Sequence, residues 1–182
     1  QDLLKDTGIE VVTPAQIHLD LDVVEDGQTY AENATKKAVV FAQASGLVSL
    51  ADDSGLEVNA LDGAPGLYSA RYGSPNGGKL SDAKRRAFLI KNLRGKSYPW
   101  YARFHATIAI AVPNGEIHFA EGFCEGEIIP EERGTGGFGY DPIFLLSELG
   151  KTMAELTMEE KNRLSHRARA VMNAKRILKV LF

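Results

Sequence analysis

The sequence predicts a mixed α/β domain with a central sheet, flanking helices and one long antiparallel hairpin. Three observations carry this reading. Segments with apolar residues at helical spacing are interspersed with segments of alternating or β-branched residues. The Asn114-Gly115 pair lies between two long alternating runs, which is a strong hairpin signal. Hydrophobic residues make up 44% and charged residues 25% of 182 residues, the balance of a chain that buries a core. At roughly 150 residues per domain, the length predicts a single domain over 1–182.

Taken in chain order, Leu3, Leu4 and Gly8 read as the end of a helix, and the apolar run at 9–12 as a short strand. Beyond a polar loop, Tyr30, Ala34, Ala38, Phe41 and Ala42 recur at helical spacing and Gly46 closes the helix. The run at 47–51 predicts a buried strand, Asp52-Asp53-Ser54-Gly55 a turn, and 56–61 a second strand. Residues 62–78, rich in Gly, Pro, Ser and Asn, form a long loop of the kind that often carries function. A helix is expected from about Ser81 to Leu93, then two hairpin strands around Asn114-Gly115. After the glycine-rich segment 134–144, Thr157 and Glu160 form a capping box, and the chain closes with an amphipathic helix from Ser165.

Composition excludes several functions. No apolar stretch approaches the roughly 18 residues that span a bilayer, and the first residues lack the basic and apolar regions of a secretion signal. Cys124 is the only cysteine, so no intramolecular disulfide can form, and the four histidines lack zinc-ligand spacing. The expectation is a cytoplasmic protein without structural zinc and without a membrane partner. A net charge of −3 argues against binding duplex DNA or RNA, although a few local cations could still hold a small anion.

Four clusters could carry chemistry. Asp52 and Asp53 place two carboxylates beside the hydroxyl of Ser54, although Asp, Ser and Gly are also ordinary turn residues. In strand geometry only one of the two acids faces a given site, so one would act and the other support it. Glu25, Glu32, Lys36 and Lys37 form a second, mixed cluster, which reads equally as a solvated helix face with Glu32 and Lys36 paired. One carboxylate from each cluster would suffice for Mg²⁺, which takes one or two carboxylates plus water and phosphate oxygens. In 134–144, glycines flank Phe138 and Tyr140, so close backbone approach and an aromatic stacking face are both available. The alternative is an irregular turn with a core aromatic. Finally, Ser165, His166 and Arg167 would start a helix, where the dipole does not favour cations. A hydrogen-bond-accepting partner would explain them; so would an ordinary surface.

Taken together, ADDSGLEVNALDGAPGLYSARYG, GTGGFGYDPIF and EEKNRLSHRARA resemble the inosine/xanthosine triphosphatase, or Ham1-like, family of non-canonical purine nucleoside triphosphate pyrophosphatases. The likeness runs over essentially the whole chain. It implies the fold of that family and a Mg²⁺-dependent homodimer that splits ITP, dITP or XTP into monophosphate and pyrophosphate, cleansing the nucleotide pool. By the same resemblance Asp53 is the proton acceptor and a metal ligand, Glu25 the other metal-site acid, and Ser54 a substrate contact. Asp52 and Glu32 are supporting acids, and Lys37 is the phosphate-side lysine. Phe138, Gly139, Tyr140 and Asp141 shape the nucleoside pocket, with Phe138 the stacking face, and Lys161, His166 and Arg167 complete the nucleotide contacts. A donor such as Arg167 or His166 to the purine 6-oxo group would reject adenine, because a mismatch leaves buried polar groups unpaired.

The resembled family opens with a strand and a T-G-N-x-x-K phosphate turn that this sequence does not contain. The expectation is therefore an N-terminally truncated form of a longer enzyme. The alternatives are a nucleotide-binding module with impaired catalysis and a Maf-like pyrophosphatase of other base preference.

Overall fold

A computed structural model describes residues 2–182. The chain forms two compact units, one comprising the chain up to Asp53, Ala106–Gly122 and His166–Phe182, the other Ser54–His105 and Phe123–Ser165. Among the described residues the sheet has five strands in sequential order: β1 (Ser49–Val58), β2 (Trp100–Ala111), β3 (Ile117–Ile128), β4 (Phe144–Leu146) and β5 (Lys151–Thr152). The helices are α1 (Tyr30–Ser45), α2 (Asp82–Leu93), α3 (Met158–Leu164) and α4 (His166–Leu181). The chain passes from one unit to the other within β1, β2 and β3.

In the first unit, side-chain alternation along β2 decides which helix each residue meets. Ala109 and Ala111 pack with Ala34, Ala38 and Ala42, the alanine row of α1. Ala106, Ile108 and Ile110 pack with Ala170, Ala174 and Leu178 of α4. Small side chains on both sides of the α1 contact let the helix lie close to the strand. Thr29 starts α1 by accepting from the Glu32 amide, and Gly46, at φ 70°, ends it. Opposite, α4 approaches β3 at backbone distance: a Cβ at Gly122 would collide with the His166 carbonyl and the Ala170 amide. The β2–β3 turn closes as the sequence predicts, with Gly115 at φ 96° and the Val112 amide donating to the Glu116 carbonyl at 2.8 Å.

In the second unit, Leu89 and Leu93 of α2 join Leu56, Ile128 and Phe144 in a fully buried core. Strand β4 pairs antiparallel with β3, Ile128 facing Phe144, and β5 pairs antiparallel with β4. The Thr157–Glu160 capping box opens α3 as expected.

Two local expectations are corrected. Residues 9–12 form no strand; they follow a 3-10 helix at Asp2–Thr7, and Ile9 and Val11 pack against the α4-side core instead. An apolar run reports burial, which side-chain packing alone can satisfy. Nor is Asp52-Asp53-Ser54-Gly55 a turn: β1 runs unbroken from Ser49 to Val58, merging the two predicted strands. The carboxylates that would have closed an Asx-turn are engaged by distant side chains, and the chain turns only at the 3-10 helix of Asn59–Leu61. Strands β4 and β5, three and two residues long, are too short to show a pattern.

Candidate active site

The alternation that sorts the core also sorts the two acids of β1. Ala51 packs on the α1 side, so Asp53, two residues on, faces the same way. On α1, Asn33 and Lys37 are one turn apart, each directly before a buried alanine of the row that touches the sheet. The Asn33 amide donates to Asp53 Oδ2 at 3.2 Å, and Lys37 Nζ lies 3.3 Å from Asp53 Oδ1. Lys37 also donates to Glu25 Oε1 at 2.7 Å. Glu25 is delivered by a loop tied back to α1: the Gly27 amide donates to Asn33 Oδ1 at 2.8 Å and the Gln28 amide to Glu32 Oε2 at 2.6 Å. A Cβ at Gly27 would sit 2.7 Å from Asn33 Oδ1, so the tie needs glycine there. Glu32 thus serves the helix start, and Lys36 pairs with Asp26 rather than with Glu32 as expected.

Burial is the main cause that raises the Asp53 pKa above the ordinary carboxylate value, and the negative charge of Glu25 adds to it; Lys37 and Asn33 oppose the rise. For Lys37, burial works against the charged form, but the hydrogen bond to Glu25 and the charges of Asp53 and Glu25 outweigh it and raise the pKa. Both partners of this pair are raised. That is consistent, because Lys37 answers two carboxylates while Asp53 has one shared cation and a repelling neighbour.

Two carboxylates converging on one ammonium, Glu25 and Asp53 on Lys37, are a donor set that a hard divalent cation fits. No group of three or more His, Cys, Asp and Glu side chains capable of holding a metal occurs among the described residues. An ion here would hold Glu25 and Asp53 and complete its shell with water and phosphate oxygens.

Asp52 faces the other side of β1, where Arg167 Nε of α4 donates to its Oδ2 at 3.0 Å. Beside this pair lies a cavity of about 190 Å³ lined chiefly by Leu50, Ala51, Ala106, Ile108 and Val171. His166, the first residue of α4, is buried.

In the second unit, the residues from Phe138 to Asp141 and Lys161 come together. Phe138 is 61% exposed. Tyr140 is buried and its hydroxyl donates to the Ser69 carbonyl at 2.9 Å, so its phenol, its pKa pushed up chiefly by burial, is a structural donor. Asp141 is buried and accepts from Lys161 Nζ at 2.8 Å. Gly137, at φ 79°, passes so close that a Cβ would collide with Asp141 Oδ2 and Lys161 Nζ. Ser54 is half-buried on β1. Sequence reasoning missed Asn33, although its position one turn before Lys37 was a usable signal. It also missed Asp82 and Arg86 on α2, which bond to Gly139 and carry no local signal.

The class of the protein is thus a mixed α/β domain with a carboxylate–lysine cluster in its first unit and a glycine-shaped aromatic loop in its second. The chain belongs to the Ham1 family, whose sequence profile matches residues 1–177. It is 50% identical over 183 residues to a dITP/XTP pyrophosphatase of Desulforamulus reducens, covering 100% of this chain and 89% of that protein. A dITP/XTP pyrophosphatase of Desulfotalea psychrophila is 47% identical, covering 96% of this chain and 77% of its own length. Among solved structures, a HAM1 protein from Coxiella burnetii superposes with a TM-score of 0.88 at 39% identity, over 98% of this chain and 90% of that one. The Ham1 protein of Staphylococcus aureus gives 0.84 at 39% identity, over 95% and 88%. No helix among the described residues is long and apolar enough to cross a membrane.

Proposed function

We propose that this chain is a nucleoside triphosphate pyrophosphatase acting on ITP, dITP and XTP, releasing the monophosphate and pyrophosphate and so clearing deaminated purines from the nucleotide pool. The observation that carries the reading is Asp53, a carboxylate with a raised pKa, held between Asn33 and Lys37 in a chain half identical to a dITP/XTP pyrophosphatase. Water adds across a phosphoanhydride: its oxygen joins phosphorus, its proton passes to Asp53, and the bridging oxygen leaves with one product. Asp53 is suited to this because burial raises its pKa, and a carboxylate with a raised pKa is the better proton acceptor. Glu25 and Asp53 would hold Mg²⁺, which when bound supplies charge neutralisation and polarises phosphoryl oxygens. Lys37 answers phosphate charge, which a chain of net charge −3 must offset locally.

In this reading the exposed ring of Phe138 stacks on the base, and Gly139, Tyr140, Asp141 and Lys161 shape and charge its surroundings. Ser54 contacts substrate, and His166 and Arg167 supply donors to a 6-oxo purine, with Asp52 holding Arg167 until substrate arrives. The reading extends to a single ITPase-like domain acting as a homodimer in the cytoplasm. The test is a turnover screen of ITP, XTP, dUTP, TTP and the four standard triphosphates with Mg²⁺, following pyrophosphate. ITP and XTP should lead. Equal turnover of ATP and ITP, or an Asp53→Asn variant at the native rate, would sink the assignment.

A further inference from the structure

Phe138 is 61% exposed, and the pose of an exposed ring follows the backbone that carries it. The backbone beside it is held from α2. In the first turn of that helix, Asp82 Oδ2 accepts from the Gly139 amide at 2.5 Å. One turn further, Arg86 Nη1 donates to the Gly139 carbonyl at 2.8 Å. The amide belongs to the peptide shared with Phe138, and the carbonyl to the peptide shared with Tyr140. One helix therefore holds both peptide planes around a glycine at φ 61°, where a turn could otherwise exchange conformers readily.

Each holding residue is itself held. Arg86 also grips Glu132 in bidentate fashion, at 2.8 and 2.9 Å. Asp82 pairs with Arg85, whose Nη1 donates at 3.0 Å to the Ser69 carbonyl, the same oxygen that accepts from Tyr140. The hydrogen bond from Gly139 is the main cause that keeps the Asp82 carboxyl below the usual carboxylate range.

We infer that Asp82 and Arg86 are positioning residues, a two-point clamp on Gly139 that fixes the pose of Phe138 and thereby sets affinity for the purine base. The inference rests on the reading of Phe138 as the base platform. Neither clamp residue touches the reacting phosphates in this scheme, so their loss should appear in KM and leave kcat nearly intact.

The test uses the full chain with Asp82→Ala and Arg86→Ala, and with Asp82→Asn, which keeps an oxygen acceptor for the Gly139 amide. Hydrogen–deuterium exchange over residues 134–141 is expected to rise about 10-fold in both alanine variants. The KM for ITP should rise about 10-fold, equivalent to ~1.4 kcal/mol, with kcat within about 2-fold of wild type. Asp82→Asn should recover most of the loss. Phe138→Ala combined with Asp82→Ala should raise KM no further than Phe138→Ala alone, because no ring remains to be positioned. Unchanged loop exchange, a wild-type KM in the alanine variants, or additive effects in the double variant would each overturn the clamp. Should an alanine variant fail to fold, Arg86→Lys, which keeps the charge but not the fork, carries the same comparison against Asp82→Asn. A wild-type chain that turns over no ITP overturns the platform reading and the affinity claim together; loop exchange, which needs no turnover, then still decides whether α2 clamps Gly139.

Discussion

The cluster on α1 and β1 and the loop at Gly139 solve opposite problems. Around Asp53 the backbone is regular, and the work falls to side chains: a ten-residue strand and a sixteen-residue helix present charges that satisfy one another only in part. Around Gly139 the backbone is irregular, and charged side chains are spent on holding it still. Regular elements tolerate unbalanced charge because their backbone hydrogen bonds hold their shape; an irregular loop, without a ladder of its own, depends on its side-chain hydrogen bonds to hold it. Changes in the first region should therefore alter chemistry at nearly constant structure, and changes in the second should alter affinity by moving backbone.

The strongest challenge to this contrast is Asp53→Asn. Removing a general base costs about 10²–10⁴-fold, so kcat should fall by that order while binding of the monophosphate product stays within about 2-fold. Loss of product binding as well would mean that the region is structural. Lys37→Met is next. Without the ammonium, Asp53 keeps its burial and its repulsion from Glu25, so its pKa should climb further and the acid limb of the kcat/KM profile should move to higher pH, with about a 10-fold loss at neutral pH. A limb that stays in place would show that Lys37 does not tune Asp53. On the loop side, Phe138→Ala should raise the KM for ITP about 10-fold or more, from a stacking contribution of ~1–3 kcal/mol, with kcat little changed.

Two smaller effects sharpen the comparison through stability. A folded-state pKa above the unfolded one means that ionised Asp53 opposes folding. In metal-free buffer Asp53→Asn should raise the melting temperature at neutral pH, and the gain should vanish as the pH falls through the raised pKa towards the ordinary carboxylate value. A gain that grows on acidification would reverse the assigned direction. Asp52→Asn should do least. The Asp52–Arg167 pair is nearly half exposed on both sides, and such pairs contribute about 0–1 kcal/mol and fade with salt.

Much of this was legible in the sequence, and the parts that were not share a cause. The helix from Tyr30, the hairpin at Asn114-Gly115 and the α3 capping box are written locally, in spacing, turn chemistry and paired caps. The opposite-facing acids were also legible, since period two follows from strand geometry once the strand is granted. The strand itself was not: Asp52-Asp53-Ser54-Gly55 has turn composition, while its sheet neighbour β2 and the partners of its carboxylates, Asn33, Lys37 and Arg167, lie far along the chain. The α2 clamp was invisible for the same reason, because Asp82 and Arg86 meet Gly139 more than fifty residues away. Composition records what a residue can do; only the fold supplies the partner that decides it.

Gly122 shows how much can hang on one missing methyl group. Because the strand backbone there meets the α4 backbone with no side chain between, the depth at which α4 seats is set by the thinnest possible spacer. Its first two residues are His166 and Arg167, so any thickening at position 122 would act as a shim beneath the N-terminal end of that helix, lifting both side chains together. A position that bears no functional group would then be as unforgiving of change as the side chains it seats.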